Sequence, residues 1–160
     1  MTTGSDVETG TPDTPGTRTG GGTDTETSLR SLSALLSRAE RYTSRRLDAV
    51  LVRHDLTPDR WRTLDLLSDG HGRTMSELAE RLLVPGPTMT KIVDRLTDAA
   101  LVYRAVDERD RRRVVVRISD AGQETLAALQ WRVDEVEREV LADLDDDAPA
   151  LLELLARLGS

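Results

Sequence analysis

Between residues 74 and 119 the apolar period of the chain changes, and that change confines the fold more tightly than any other feature. "TMSELAERL" and "PGPTMTKIVDRL" space their apolar side chains as helices do, whereas "LVYRAV" (101–106) and "VVVRIS" (114–119) are short β-branched runs. Thr74 and Glu77 have the spacing of a capping box, in which the Thr oxygen accepts one orphan N–H and the Glu reaches back to another. Met75, Leu78, Ala79 and Leu82 then face inward. Gly86-Pro87 reads as a cap followed by proline at the first helical position, where its missing N–H would be unpaired anyway. Advancing about 100° per residue, Met89, Ile92, Val93 and Leu96 fall on one face of this second helix.

The other face of that helix holds Pro87, Thr88, Thr90, Lys91, Asp94 and Arg95. Two short helices in tandem, the second turning hydroxyls and bases outward, form a helix-turn-helix pattern. The β-branched runs that follow predict a hairpin, with "DERDRRR" at its tip. Thr88, Thr90, Lys91 and Arg95 are therefore candidates for contact with base edges or phosphate, and Arg111, Arg112 and Arg113 for contact from the hairpin tip. A tip of this width fits the minor groove, where negative potential attracts guanidinium groups.

The flanks are simpler. Residues 1–27, rich in Thr, Gly, Asp and Pro, have almost no apolar side chain besides Val7 and read as a disordered tail. From Leu29 to Leu51 apolar residues recur at helical spacing. "LTPDRWRTLDLL" adds a second helix with Thr57 as cap, Pro58 at its first position and Trp61, Leu64 and Leu67 buried. After Ser119, Leu126, Leu129, Val133, Val136, Val140 and Leu144 step like a coiled-coil seam, and "ALLELLARLGS" makes a last apolar helix. The expected fold is thus mainly α with a small β-hairpin. Residues 56–119 form a winged helix-turn-helix domain, and residues 28–55 and 120–160 a helical dimerisation region. A seam so apolar predicts burial against a second copy rather than within one bundle.

Charge follows the same division. The 160 residues carry a net charge of −7, yet residues 72–119 hold ten Lys/Arg against seven Asp/Glu, leaving twelve against twenty-two elsewhere. A locally basic surface on an acidic body limits indiscriminate phosphate binding. Lys91 is the single lysine, so arginine in the hairpin reflects general usage in this chain. The absence of cysteine excludes disulfides and thiolate chemistry. His54 and His71 have no nucleophile or metal-binding partner motif, so neither an enzyme nor a metal or cofactor site is expected. No apolar run approaches the ~20 residues that a membrane span needs, and no N-terminal apolar h-region is visible, which predicts a cytoplasmic chain without membrane contact.

"LTPDRWRTLDLL", "TMSELAERL", "PGPTMTKIVDRL", "ALVYR" and above all "DERDRRRVVVRISDAG" resemble, in this order and spacing, the MarR family of winged helix-turn-helix regulators. The resemblance runs from about Leu29 to the C-terminus. It implies a homodimer in which the first helix and the last two interleave, binding a pseudo-palindromic double-stranded DNA site as a transcriptional regulator, most often a repressor. The two recognition helices of such a dimer enter successive major grooves, ~34–36 Å apart. The wing signature implies that Arg112 is the groove-inserting residue, with Asp107, Arg109 and Asp110 bracing the loop through ion pairs. The family often has Ser and Arg where this chain has Pro85 and Gly86. The resemblance also implies a small-molecule effector bound between the dimer helices and the winged domain, for which Tyr42, His54, Trp61 and Trp131 are candidate walls. Peroxide sensing through cysteine, found in one branch of the family, is impossible here. The competing expectation is an adaptor of the same fold that binds a ligand or a protein but no DNA.

Overall fold

The computed structural model describes residues 23–108 and 110–158. Eight elements follow in order: α1 (Thr23–Leu51), α2 (Pro58–Leu67), α3 (Met75–Arg81), α4 (Gly86–Asp98), β1 (Val102–Val106), β2 (Val114–Ile118), α5 (Asp120–Leu141) and α6 (Ala148–Leu158). α1 begins inside the segment read as a tail, immediately after Gly20-Gly21-Gly22, the last helix breakers before a stretch without Gly or Pro. The rest of the tail lies outside the described residues. The chain divides after Ser37. The described part of α1 before that point exposes Leu32, Leu35 and Leu36.

From Arg38 onward one core gathers α1, α2, α3, α4, the hairpin and α5. It includes Leu51, Trp61, Leu64, Leu67, Leu78, Met89, Val93, Leu96, Val116 and Leu129. α4, at 13 residues, is too short to persist alone in water. Its stability comes from burying Met89, Ile92, Val93 and Leu96, roughly 1.5–3 kcal/mol for each fully buried side chain. The Thr74–Glu77 capping box forms as expected, and Thr57 caps α2 by accepting from the Arg60 N–H. The start of α4 differs from expectation. Pro85, not Gly86, is its cap, because the Pro85 carbonyl accepts both the Thr88 and Met89 amides at 2.9 Å.

Two helices end in the same motif, each closed by a left-handed residue that is not glycine. After α3, the Val84 amide donates to the Ala79 carbonyl at 2.9 Å and Leu83 to Glu80 at 3.2 Å, with Leu83 at φ 52°. After α4, Leu101 donates to Leu96 and Ala100 to Thr97, both at 2.9 Å, with Ala100 at φ 57°. These Schellman closures satisfy carbonyls that would otherwise be orphaned and set the two turns that place α4 and the hairpin.

β1 and β2 pair antiparallel, with Val102 opposite Ile118 and Val106 opposite Val114. Arg73 adds a single bridge on the outer side of β2, exchanging two backbone bonds with Val116 at 3.0 and 2.8 Å. α5 locks the base of the hairpin. The Ser119 amide donates to the Leu101 carbonyl at 3.0 Å, its hydroxyl donates to the Ala100 carbonyl at 2.7 Å, and the same oxygen accepts the Gly122 amide at 3.0 Å. A side chain at Gly122 would begin 2.1 Å from the Leu101 carbonyl oxygen.

The α5 seam is a correction. Leu126, Leu129, Val133 and Val136 are buried within the chain itself, where α5 packs on α2, so most of the stripe needs no second copy. Period alone states that a face is buried, not against what. α6, by contrast, leaves Leu151, Leu152, Leu154, Leu155 and Leu158 exposed. A 3-10 turn over Ala142–Asp147, broken at Asp145, separates the two helices.

Candidate nucleic-acid interface

α4 presents Thr88, Thr90, Lys91 and Arg95 on its exposed face, as its apolar stripe dictates. Lys91 and Arg95 form no ion pair with any described residue. Thr90 is partly committed, because its hydroxyl donates to the Gly86 carbonyl at 3.1 Å, leaving its oxygen as an acceptor toward solvent. Asp94 would oppose a phosphate, but its carboxylate accepts from the Arg104 guanidinium at 2.7 Å. That pair joins α4 to β1 and masks the acidic charge of the face.

The hairpin tip is built by Asp110. Its side chain accepts the Arg112 amide at 3.0 Å, its carbonyl accepts the Arg113 amide at 2.9 Å, and Asp107 donates its own amide to the Arg113 carbonyl at 2.9 Å. Asp110 thus braces the tip through hydrogen bonds with backbone amides, and its charge, with that of Asp107, also favours the charged form of Arg113. Arg109 lies outside the described residues. Arg111 and Arg112 project from this turn, exposed and without an ion pair to a described residue.

Arg113 behaves differently. Its guanidinium donates to Glu77 at 2.7 Å, which raises the Arg113 pKa. Glu77 is held below its ordinary range first by the Thr74 amide, at 2.7 Å from its other oxygen, and then by Arg113. Sequence reasoning found Glu77 as a capping residue and missed it as an anchor for the hairpin. The two residues stand 36 positions apart, and no periodic signal connects them. Near the hairpin base, Arg117 reaches Glu108 at 3.6 Å and the Gly70 carbonyl at 3.2 Å. Arg73 clasps Asp69 with both terminal nitrogens, which drives the Asp69 carboxyl far below its usual range.

The four candidate effector-site residues do not converge. Trp61 is a core residue, 4% exposed, and His54 is exposed in the 3-10 turn after α1. Trp131, 57% exposed, stacks beneath the Arg132 guanidinium at 5.0 Å. With Arg46, Ala49, Val50 and Val136 it lines an open groove of about 360 Å³ between α1 and α5. Tyr42 is not part of that lining but touches it through Arg46, whose guanidinium donates to the Tyr42 hydroxyl at 2.9 Å and also pairs with Glu139. Among the described residues no group of three or more His, Cys, Asp or Glu could hold a metal ion. No described helix is long and apolar enough to cross a membrane.

Comparison with known proteins matches residues 54–113 to the model of the MarR family. The chain is 27% identical to the homoprotocatechuate degradative operon repressor of Escherichia coli, over 58% of this chain and 63% of that protein. It is 33% identical to the HTH-type transcriptional repressor IacR of Pseudomonas putida, over 62% of this chain and 57% of that one. The alignments therefore span about three fifths of the length of these two relatives. Among solved structures, the transcriptional repressor CouR bound to a 23-mer DNA duplex superposes with a TM-score of 0.71 at 28% identity, covering 81% of this chain and 92% of that one.

Proposed function

We propose, from the premise that this chain belongs to the MarR family of winged helix-turn-helix proteins, that it is a sequence-specific double-stranded DNA-binding transcriptional regulator acting as a homodimer. One observation carries the reading. Lys91, Arg95, Arg111 and Arg112, which have no ion pair among the described residues, sit on the exposed face of α4 and on the hairpin tip, while Asp94 is neutralised by Arg104. A surface whose cations are free and whose carboxylate is masked suits a polyanion. Thr88 and Thr90 supply hydroxyls for base edges or phosphates beside Lys91 and Arg95, and Arg112 enters the minor groove.

Residues 56–119 read DNA, and residues 28–55 and 120–160 carry dimerisation. The exposed leucines of α6 support this division, since an apolar face of that extent is more than a monomer leaves in water. Two copies related by a two-fold axis require a pseudo-palindromic site. Relief by an effector follows if a small molecule seats in the groove beside Trp131 and prefers the arrangement that cannot bind DNA; tight binding to both arrangements would change nothing.

Footprinting on the DNA upstream of the chain's own gene tests the reading. The expected result is one protected pseudo-palindrome, with log K falling by ~0.9 per log unit of salt for each phosphate neutralised. Failure to protect any such site at low salt overturns DNA binding and favours the adaptor. A sedimentation measurement of Leu154→Glu, which places charge on the α6 apolar face, tests the dimer: the variant should run as a monomer.

A further inference from the structure

Arg113 lies in an arginine triplet at the tip of the hairpin, yet its guanidinium points back to the helix-turn-helix. Glu77 receives it at 2.7 Å with one carboxylate oxygen while the other oxygen accepts the Thr74 amide, also at 2.7 Å. The capping box therefore holds the acceptor independently of the hairpin. An exposed ion pair between two mobile side chains gains little, because both must be ordered to form it. Here the entropy of Glu77 is already spent on capping α3, and the backbone of Arg113 is held by Asp107 and Asp110. Both partners are about half exposed, so the pair adds little to global stability. Its effect is geometric, since it links the first turn of α3 to the point where β2 leaves the tip.

We propose that Arg113 is a positioning residue and not a phosphate ligand: its ion pair with Glu77 fixes the tilt of the wing against α3, aiming Arg111 and Arg112 at DNA. This rests on the DNA-binding reading above and revises the DNA-contact role expected of Arg113. Within the triplet, Arg111 and Arg112 have no ion pair among the described residues, and Arg113 is retained by Glu77.

Salt dependence separates the two roles. A residue that neutralises a phosphate contributes ~0.9 to the slope of log K against log salt, and a residue that only orients others contributes none. Binding of the full chain to its footprinted duplex is measured across a salt series for Arg113→Ala, Glu77→Gln, the double variant and Arg112→Ala. Gln also serves at the third position of a capping box, so Glu77→Gln keeps α3 capped while removing the charge. Arg113→Ala and Glu77→Gln should each weaken binding about two- to fivefold with an unchanged slope. The double variant should be no weaker than either single one. Arg112→Ala, which removes one cation from each protomer of the dimer, should lose ~1.8 of slope, about 0.9 for each phosphate no longer neutralised. A comparable loss of slope in Arg113→Ala, or additive effects in the double variant, overturns the proposal. Amide hydrogen exchange without DNA gives a second arm, in which residues 107–113 should exchange faster in Arg113→Ala and in Glu77→Gln than in the unaltered chain. Equal exchange in all three also overturns it. Should the unaltered chain bind no duplex while the variants loosen the wing, the DNA-binding reading fails and the anchoring of the wing stands.

Discussion

Asp94 on α4 and Arg104 on β1 meet at 2.7 Å across the junction between the helix proposed to read DNA and the wing. The carboxylate is 51% exposed and the guanidinium 39%, so the pair contributes at most about 1 kcal/mol to folding. Its larger effect is on the sign of the surface. Asp94→Asn should leave the melting temperature nearly unchanged while freeing Arg104 beside the DNA-binding face. Affinity for a non-operator duplex should then rise, narrowing the ratio of specific to non-specific binding, as read by competition with unrelated DNA. A variant that keeps the ratio of the unaltered chain would show that Asp94 screens nothing.

Gly122 is a steric requirement of the contact between α5 and the hairpin base. A Cβ there would lie 2.1 Å from the Leu101 carbonyl oxygen and 2.8 Å from the Ile118 side chain, and the first of these is backbone that cannot rotate away. Gly122→Ala gains helix propensity but must push the hairpin off α5. Overpacking of this kind outweighs the gain and should cost about 2 kcal/mol, or ~4–8 °C in melting temperature. A thermal melt at or above that of the unaltered chain would contradict the packing described.

Ala100 presents the opposite case. It closes α4 at φ 57° in a conformation that costs a residue with a Cβ roughly 1–2 kcal/mol, whereas glycine loses only about 0.5–1 kcal/mol of extra chain entropy. Ala100→Gly should therefore stabilise the fold by about 0.5–1 kcal/mol, and Ala100→Val should destabilise it. Urea denaturation curves of the two variants check the sign. If both weaken the fold, the left-handed turn is not a source of strain.

Much of this architecture was legible because its causes are local. The capping box at Thr74, the cap at Thr57, the stripe of α4 and the paired β-branched runs all depend on residues within a few positions of one another. What stayed hidden is non-local. The α5 stripe showed that a face is buried but not that α2 takes it, and an arginine triplet showed positive charge but not that Glu77, on another element, retains one member. Pro85 became the cap of α4 in place of Gly86 because its carbonyl, which any residue has, does the accepting. Of the four residues offered as pocket walls, core packing claims Trp61 while the α1–α5 groove keeps Trp131, a division that depends on which elements meet in space.

Acid should loosen the wing before it unfolds the core. Folding lowers the pKa of Glu77 from its ordinary value of 4.5, chiefly through the Thr74 amide and then through Arg113. A carboxyl with a depressed folded-state pKa binds a proton more readily when unfolded. Its stabilising contribution is complete above the unfolded value and is lost as pH falls through the lower folded one. Asp69, lowered from 3.8 by Arg73 and the His71 amide, loses its contribution at still lower pH. Stability should therefore decline below about pH 5, with wing-tip amides at 107–113 losing protection ahead of those in α4. Glu77→Gln should show a shallower decline as pH falls below about 5, because it has no proton to take up there. Parallel acid profiles for the variant and the unaltered chain would mean that the Glu77 carboxylate is not the group whose protonation releases the wing.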